Sequence, residues 1–174
     1  MGRLRRAVYG LNPWILSCVA TVPLVAEIVL VLFLHRGSPN RLAIVTWAGY
    51  AIWTLSAVFG VLPIITLRTR GGVKRGTNYM HTTTLVDSGI YSVVRHPQYL
   101  AGMLISLALV LLAQTWLIAL LSATVVTLTW LDALKADRYC IDKFGDAYEQ
   151  YMDRVPRTNA LVGIVRLARR GKGT

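Results

Sequence analysis

Two long stretches almost free of charge set the first limit on what this chain can fold into. Asn12 to Leu34 holds one charged residue, Glu27, and Leu42 to Leu67 holds none. Each stretch is as long as the ~20 apolar residues that cross the hydrocarbon core of a bilayer. The first is too long, and its flanks are wrong, for a cleaved signal peptide. We therefore predict an integral membrane protein with helices at about 12–34 and 42–67.

A third apolar stretch, Tyr99 to Leu131, is too long for one ordinary span. Gln114-Thr115 marks its middle, which predicts two helices, at about 97–113 and 116–134, joined by a tight turn. Helices of that length are near the lower limit for spanning. The expected fold is an all-α integral membrane protein with about four transmembrane helices, the last two a short helical hairpin, and a cytosolic helical C-terminal tail. Residues 1–174 then form a single membrane domain.

The distribution of basic residues predicts the orientation. The net charge is +11, which in another context would suggest nucleic acid. Of the 19 Lys and Arg residues, however, only Arg36 and Arg41 fall in the first hairpin loop, and none lies in the turn at Gln114. Four helices place all the others on one side, which the positive-inside rule makes cytosolic. We expect cytosolic N- and C-termini, contact with anionic membrane lipids and no nucleic-acid partner.

Two polar regions, the loop 68–96 and the tail 135–174, hold most of the residues that can do chemistry. Within the tail, Asn159 to Arg170 mixes apolar and basic residues in the pattern of a basic helix lying on the membrane surface. The three histidines are scattered and no cluster of cysteines accompanies them, so we predict no metal site. The two cysteines indicate no disulfide framework.

The most informative short segment joins the loop to the third helix. Pro97 is well placed as a first helical residue, where its missing N–H costs nothing. The free N–H groups of that first turn and the helix dipole favour an anion. Arg95 adds a full charge, and His96 can donate or accept near neutral pH. The helix start therefore suits a carboxylate or phosphate. From the residues alone the alternative is that Arg95 is a snorkelling anchor and His96 merely a cap.

The sequence Arg-His-Pro-Gln-Tyr-Leu-Ala-Gly at 95–102, with Gly-Ile-Tyr at 89–91, resembles the signature of a superfamily of integral membrane methyltransferases. These are the isoprenylcysteine carboxyl methyltransferases and phospholipid N-methyltransferases. The tail at 143–151 and Arg-Val-Pro-Arg at 154–157 are similar to that superfamily too, so the likeness covers roughly 82–166. It implies methyl transfer from S-adenosylmethionine to a lipid or another membrane-partitioned acceptor that enters sideways from the bilayer.

The resemblance also implies where the cofactor binds, namely between the start of the third helix and the tail. The residues expected to bind it are Gly89, Tyr91, Arg95, His96, Pro97, Tyr99, Gly102, Asp137 and Tyr148. The methionyl carboxylate suits Arg95 and His96, and the tyrosines are candidate walls for the adenine. Tyrosines at a membrane interface are also common as belt residues. Methyl transfer itself needs mainly the alignment of acceptor, methyl group and sulfur.

The acidic residues depart from the superfamily pattern. Relatives often have a Glu-Glu or Glu-Asp pair where this chain has Ala136 and Asp137. We expect Asp137 to bind the cofactor's amino group, and the alternative is an ion pair with Arg138 or Lys135. Asp132 stands where the isoprenylcysteine enzymes are expected to have an arginine suited to a substrate carboxylate. An acid there favours holding or deprotonating an amine, or another nucleophile. Asp132 and Asp137 are therefore the predicted catalytic residues.

Two other functions stay open at this point. The segment 137–145 also resembles the tail of membrane sterol reductases, which use a nicotinamide dinucleotide phosphate, although those chains are much longer. A non-catalytic membrane protein that keeps the fold is the third possibility, supported by Ala136 in place of an acid. Glu27 adds a separate question, because a carboxyl group near the middle of a membrane helix hints at function.

Overall fold

The computed structural model describes residues 13–34, 42–73, 76 and 82–171, and for 13–18 and 34 it describes the helix alone. Over these ranges the chain forms six α-helices, one short 3-10 helix and no strand, which confirms the expected all-α fold. The helices are α1 (Pro13–Leu34), α2 (Ala43–Arg70), α3 (Pro97–Ala113), α4 (Trp116–Phe144), α5 (Asp146–Arg154) and α6 (Ala160–Arg170), with the 3-10 helix Gly89–Ser92 before α3. Basic residues before 13, and Arg36, Arg41, Lys74 and Arg75, lie outside the described residues.

Two of the helices are long and apolar enough to cross a bilayer, namely α2 and α4. In their most apolar windows only 17% of α2 and 33% of α4 is buried. A helix in the core of a soluble protein would bury most of such a window, whereas lipid solvates exposed apolar side chains. The described side chains of α1, Val19–Phe33, and those of α3, Pro97–Ala113, form apolar stretches as well. Over the residues whose side chains are described, α2 and α4 therefore meet the length that a bilayer requires.

Helix α4 is longer than the expected 116–134, because it continues to Phe144. Leu134 is followed by Lys135, Ala136 and Arg138, which are good helix formers. The helix stops only at Gly145, whose φ of 58° favours glycine. Its 29 residues make a helix of roughly 44 Å, compared with ~30 Å of hydrocarbon. Helix α4 is therefore longer than the hydrocarbon core requires, and its charged end includes Asp137. The last two apolar helices form a hairpin in which only α3 is short.

The chain divides into two compact units, of which the first comprises Met1–Ser56 and Ala101–Ala136. Its core joins α1, α3 and α4 through Val31, Leu109, Ala113 and Ile118. The turn between α3 and α4 lies at Gln114-Thr115, as the sequence predicts. Gln114 has a φ of 52°, and its side chain accepts from the N–H of Leu42 (3.0 Å) and donates to the Leu42 carbonyl (3.2 Å). One residue thus makes the turn and caps the start of α2.

Glu27 of α1 is fully buried in this first unit. The Ser106 hydroxyl of α3 donates to Glu27 Oε2 over 2.7 Å, and the Ser122 hydroxyl of α4 lies 3.0 Å from that of Ser106. Glu27 Oε1 has no hydrogen-bond partner among the described residues. The three side chains form a polar link between α1, α3 and α4.

We expect Ser106→Ala to lower the free energy of unfolding by about 1–3 kcal/mol, because it leaves the second oxygen of Glu27 buried without a donor. Glu27→Gln keeps an acceptor for Ser106 and should cost less. Denaturant titration of the detergent-solubilised protein measures both. The control is Thr127→Val, which removes an exposed hydroxyl bonded only to its own helix. A loss for Ser106→Ala no larger than for this control would contradict the expectation.

The second unit comprises Ala57–Leu100 and Asp137–Thr174. Its apolar cluster centres on Tyr148, Tyr151 and Val155, with Leu85, Cys140, Ile141, Phe144 and Met152 packed against them. The Tyr151 hydroxyl donates to the Tyr91 carbonyl over 2.6 Å. This bond ties the 3-10 helix, which leads into α3, to α5.

Candidate active site

The start of α3 lies beside the end of α5 through backbone hydrogen bonds. The N–H of Arg95 donates to the Pro156 carbonyl and the N–H of His96 to the Arg157 carbonyl, both over 3.0 Å. Pro97 is the first residue of α3, as expected, and the His96 carbonyl accepts from the N–H of Leu100 (3.1 Å). The two sequence motifs at 95–97 and 154–157 are therefore held side by side.

Asp137, at the polar end of α4, is the centre of a cluster of charged and polar side chains. Its Oδ1 accepts from the Tyr148 hydroxyl (2.8 Å) and lies 2.7 Å from His96 Nε2. Its Oδ2 accepts from Arg95 Nη2 (3.1 Å) and Arg157 Nε (2.6 Å). We call these five residues the Asp137 cluster. Its members come from α4, α5 and the segments before α3 and after α5.

The charges within the Asp137 cluster do not cancel. Two guanidinium groups contact one carboxylate, so a positive charge is in excess even when His96 is neutral. The Arg95 and Asp137 side chains are 6% and 5% exposed, whereas Arg157 is 22% exposed. Arg95 Nε is buried and has no hydrogen-bond partner among the described residues. A buried donor without a partner beside excess positive charge suits an anionic group of a ligand.

The pKa of Asp137 reflects these contacts. Burial alone would raise it, but the hydrogen bond and charge of His96 and the charge of Arg95 outweigh burial and hold the pKa well below its usual value. Burial, reinforced by the negative charge of Asp137, raises the pKa of Tyr148 far above its usual range. Asp137 is therefore an anion and Tyr148 a protonated donor at neutral pH.

We expect part of the stability to be lost in acid. The folded-state pKa of Asp137 is lower than the unfolded one, so its stabilisation is complete above the ordinary carboxyl pKa of about 3.9 and declines as the pH falls towards the folded value. The denaturant concentration at the unfolding midpoint, measured from about pH 7 down to pH 3, should decrease once the pH is lower than about 4. Asp137→Asn should flatten this profile. Parallel profiles for the parent and Asp137→Asn would contradict the expectation.

Replacing Tyr148 with Phe tests the neutral donor of the cluster. We expect a loss of about 1.5–3 kcal/mol in the free energy of unfolding, because a hydrogen bond to a buried charge disappears. Tyr139→Phe is the matched control, since Tyr139 is 59% exposed. Denaturant titration of both variants measures the difference, and equal losses would show that the Tyr148 hydroxyl contributes nothing to stability.

The remaining predicted cofactor residues of the second unit lie in the 3-10 helix and in the first turn of α3. The Tyr99 ring lies edge-on to the His96 ring, with centroids 5.5 Å apart. Tyr91 is buried, and its carbonyl is the acceptor for Tyr151. Gly89 begins the 3-10 helix with a φ of 64°. Their roles in cofactor binding stay predictions.

Two predicted site residues belong to the first unit. A Cβ added at Gly102 would lie 3.9 Å from Thr129 Cγ2 of α4, which is an ordinary van der Waals distance. Asp132 is 4% exposed and interacts with other groups of the protein. Their contributions to binding and catalysis also stay predictions. Among the residues that the structure describes, no group of His, Cys, Asp and Glu side chains is arranged to hold a metal ion.

Sequence reasoning did not select Arg157, although it lies in the Arg-Val-Pro-Arg segment that resembles the superfamily. It also left open an ion pair between Asp137 and Arg138. In the structure Arg138 lies 3.7 Å from Asp142, with both side chains about two-thirds exposed, while Arg95 and Arg157 bind Asp137. The observed partners differ from the expected one because segments far apart in the chain lie side by side, which the sequence does not reveal.

Comparison with known proteins decides the family. The model of the family described as phospholipid methyltransferase matches residues 44–146, more than half of the chain. This chain belongs to the phospholipid methyltransferase family. The matched region includes Arg95, His96 and Asp137 and ends before Tyr148 and Arg157. The resemblance noted in the sequence is thereby confirmed.

One curated relative supports the same superfamily. The chain is 30% identical over 99 residues to the protein-S-isoprenylcysteine O-methyltransferase of Schizosaccharomyces pombe (strain 972 / ATCC 24843). The match covers 52% of this chain and 42% of that protein, so the chain matches less than half the length of this relative. No solved structure matches the chain.

Proposed function

We propose that this chain transfers a methyl group from S-adenosylmethionine to a lipid or another membrane-partitioned acceptor. The single observation that carries the proposal is the buried Arg95 Nε at the start of α3, which has no hydrogen-bond partner among the described residues. Membership of the phospholipid methyltransferase family supports it. The proposal includes four membrane-crossing helices, with α1 and α3 joining α2 and α4, and cytosolic termini.

The residues of the cluster fit the methionyl part of this cofactor. Arg95 has an unused donor for its carboxylate, and His96 stands next to Arg95 at the N-terminus of α3. Asp137 already accepts from four side chains, so an ammonium group must replace one of them. Arg157 is the donor proposed to give way, because its side chain is the most exposed of the ion-paired members. Tyr91 and Tyr99 remain the proposed aromatic walls.

The cofactor supplies an electrophilic methyl group on a positively charged sulfur. The chain's task is then alignment, since displacement at a methyl carbon needs little acid–base help. We propose that buried Asp132 holds an amine acceptor or takes its proton. A carboxylate acceptor would be repelled by Asp132, so an amine-bearing lipid is the preferred acceptor class.

Calorimetry of the detergent-purified protein with S-adenosylmethionine tests the cofactor. We expect saturable binding that Arg95→Gln weakens at least about tenfold, because a charge-assisted hydrogen bond is lost. His96→Ala should weaken it as well. The matched control is Arg138→Gln, since Arg138 is exposed and lies outside the cluster. Equal binding by all variants would place the cofactor elsewhere.

Reduced nicotinamide dinucleotide phosphate is the parallel ligand in the same titration. Binding of the dinucleotide alone would establish the reductase instead. Binding of neither ligand would reject both enzymes and favour a non-catalytic membrane protein. Ala136→Glu would then test whether the acid that relatives often have at this position gives the chain cofactor binding.

Transfer of a labelled methyl group in proteoliposomes tests the acceptor. Phosphatidylethanolamine and a prenylated cysteine with a free carboxylate are supplied separately. We expect transfer to the amine, and its loss in Asp132→Asn with cofactor binding retained. Transfer to the carboxylate that persists in Asp132→Asn would overturn the amine proposal and the role of Asp132.

A further inference from the structure

Helix α6, Ala160–Arg170, is docked on the protein by one side. Its buried residue is Gly163, and any Cβ at that position would overlap the Val93 carbonyl oxygen. The backbone of α6 thus lies directly against the segment that leads to Arg95. This close approach identifies the side of α6 that faces the protein.

Further polar contacts hold α6 in the same orientation. Asn159 caps the helix, its Oδ1 accepting from the N–H of Val162 over 3.1 Å. Arg166 donates to the Asp153 carbonyl (3.3 Å), and Arg170 donates to the Arg154 carbonyl. The end of α5 therefore anchors the second half of α6, and together with the Gly163 contact this fixes the rotation of α6 about its own axis.

The opposite side of α6 is apolar and exposed. Leu161 is 78% exposed, Ile164 54% and Val165 50%. At 100° per residue, the centre of these three positions lies roughly 150° around the helix from Gly163. The described residues of the protein leave at least half of the surface of each of these three residues exposed. An apolar stripe that points away from the protein it is docked on needs another apolar environment.

The charge of α6 identifies that environment. The helix contains Arg166, Arg169 and Arg170 and no acidic residue, and all three arginines are exposed. We propose that α6 lies on an anionic bilayer surface, with Leu161, Ile164 and Val165 at the acyl boundary and Arg169 at the lipid phosphates. A bilayer with anionic lipid presents an apolar interior next to negatively charged headgroups. It therefore suits both the apolar residues and the arginines of α6. This inference does not depend on the methyl-transfer reaction.

Spin labels on the full chain in lipid nanodiscs test the apolar face. Cys18 and Cys140 are first replaced by Ala, and Leu161→Cys carries the label. The matched control label is at Glu149→Cys, an exposed polar position on α5. In phosphatidylcholine with a minority of phosphatidylglycerol, the Leu161 label should collide with oxygen and be protected from a water-soluble nickel complex. The Glu149 label should show the reverse.

The charged part is tested by lipid composition and by Arg169→Gln. Among the described residues Arg169 makes no hydrogen bond or ion pair with α5, whereas Arg166 and Arg170 donate to its carbonyls. Removing one charge should lower the ratio of the two Leu161 label populations, the one in the bilayer to the one in water, about fivefold in the anionic nanodiscs. Omitting phosphatidylglycerol should lower the ratio further. Parent-like circular dichroism confirms that each labelled variant is folded.

Three results would overturn the proposal. Equal nickel accessibility of the Leu161 and Glu149 labels would place the apolar face in water. Protection of the Leu161 label from both oxygen and nickel would indicate a protein partner instead of lipid. Protection that is the same with and without phosphatidylglycerol, and unchanged in Arg169→Gln, would remove anionic lipid as the occupant.

Discussion

Replacing Asp137 with Ala is expected to lower the free energy of unfolding by about 3–5 kcal/mol. The variant removes the carboxylate that Arg95 and Arg157 both contact and leaves the buried Arg95 charge uncompensated. Breaking one side of a buried ion pair costs this much because the remaining charge has lost its solvent and its partner. Denaturant titration of the detergent-solubilised protein, followed by circular dichroism, measures the change.

The control for this variant is Asp142→Ala, which breaks an exposed pair with Arg138 on the same helix. Exposed pairs contribute about 0–1 kcal/mol, so this change should be small. A second arm separates charge from packing, because Arg95→Met combined with Asp137→Leu removes both charges and should recover part of the loss. A loss for Asp137→Ala as small as the control would show that the cluster does not stabilise the fold.

Replacing Gly163 with Ala is expected to cost about 3 kcal/mol and to release α6 from the protein. The added Cβ would overlap the Val93 carbonyl oxygen, which is backbone and has little freedom to move. Hydrogen exchange should show faster exchange of amides in 159–170, and the unfolding midpoint should fall. Because Val93 lies two residues before Arg95, cofactor binding should weaken as well.

A matched Gly-to-Ala change is available at Gly171, the residue that follows α6. Its φ of −69° suits any residue, and the nearest atoms to an added Cβ are about 3.9 Å away. This variant should leave exchange and stability nearly unchanged, or slightly raise stability. Parent-like exchange of α6 in Gly163→Ala would show that the close contact with Val93 is not formed.

Much of the fold could be predicted because local sequence controls it. The length of an apolar run determines whether a helix can cross a bilayer, which identified α2, and the run at 116–134 identified the apolar part of α4. Pro97 predicted the first residue of α3, since a proline without an N–H suits the first turn. The end of α4 was harder to predict, because apolarity ends near Leu134 whereas helix propensity continues to Gly145.

The candidate site was predictable only in part. Arg95, His96, Asp137 and Tyr148 were selected from a resemblance, and the structure brings all four together. Arg157 was missed because its role depends on where the chain turns after α5. Gly102 and Asp132 lie in the first unit, and their roles in binding and catalysis stay predictions.

By itself, the sequence determined the helical membrane character, the start of α3 and the family, because apolar run length and short motifs act over a few neighbouring residues. The tertiary structure alone decided which groups bind Asp137 and which side of α6 is covered. Both depend on contacts between segments far apart in the chain, such as the 42 positions that separate Arg95 from Asp137. No local pattern specifies such a contact, because it forms only when the packing of the helices brings its partners together.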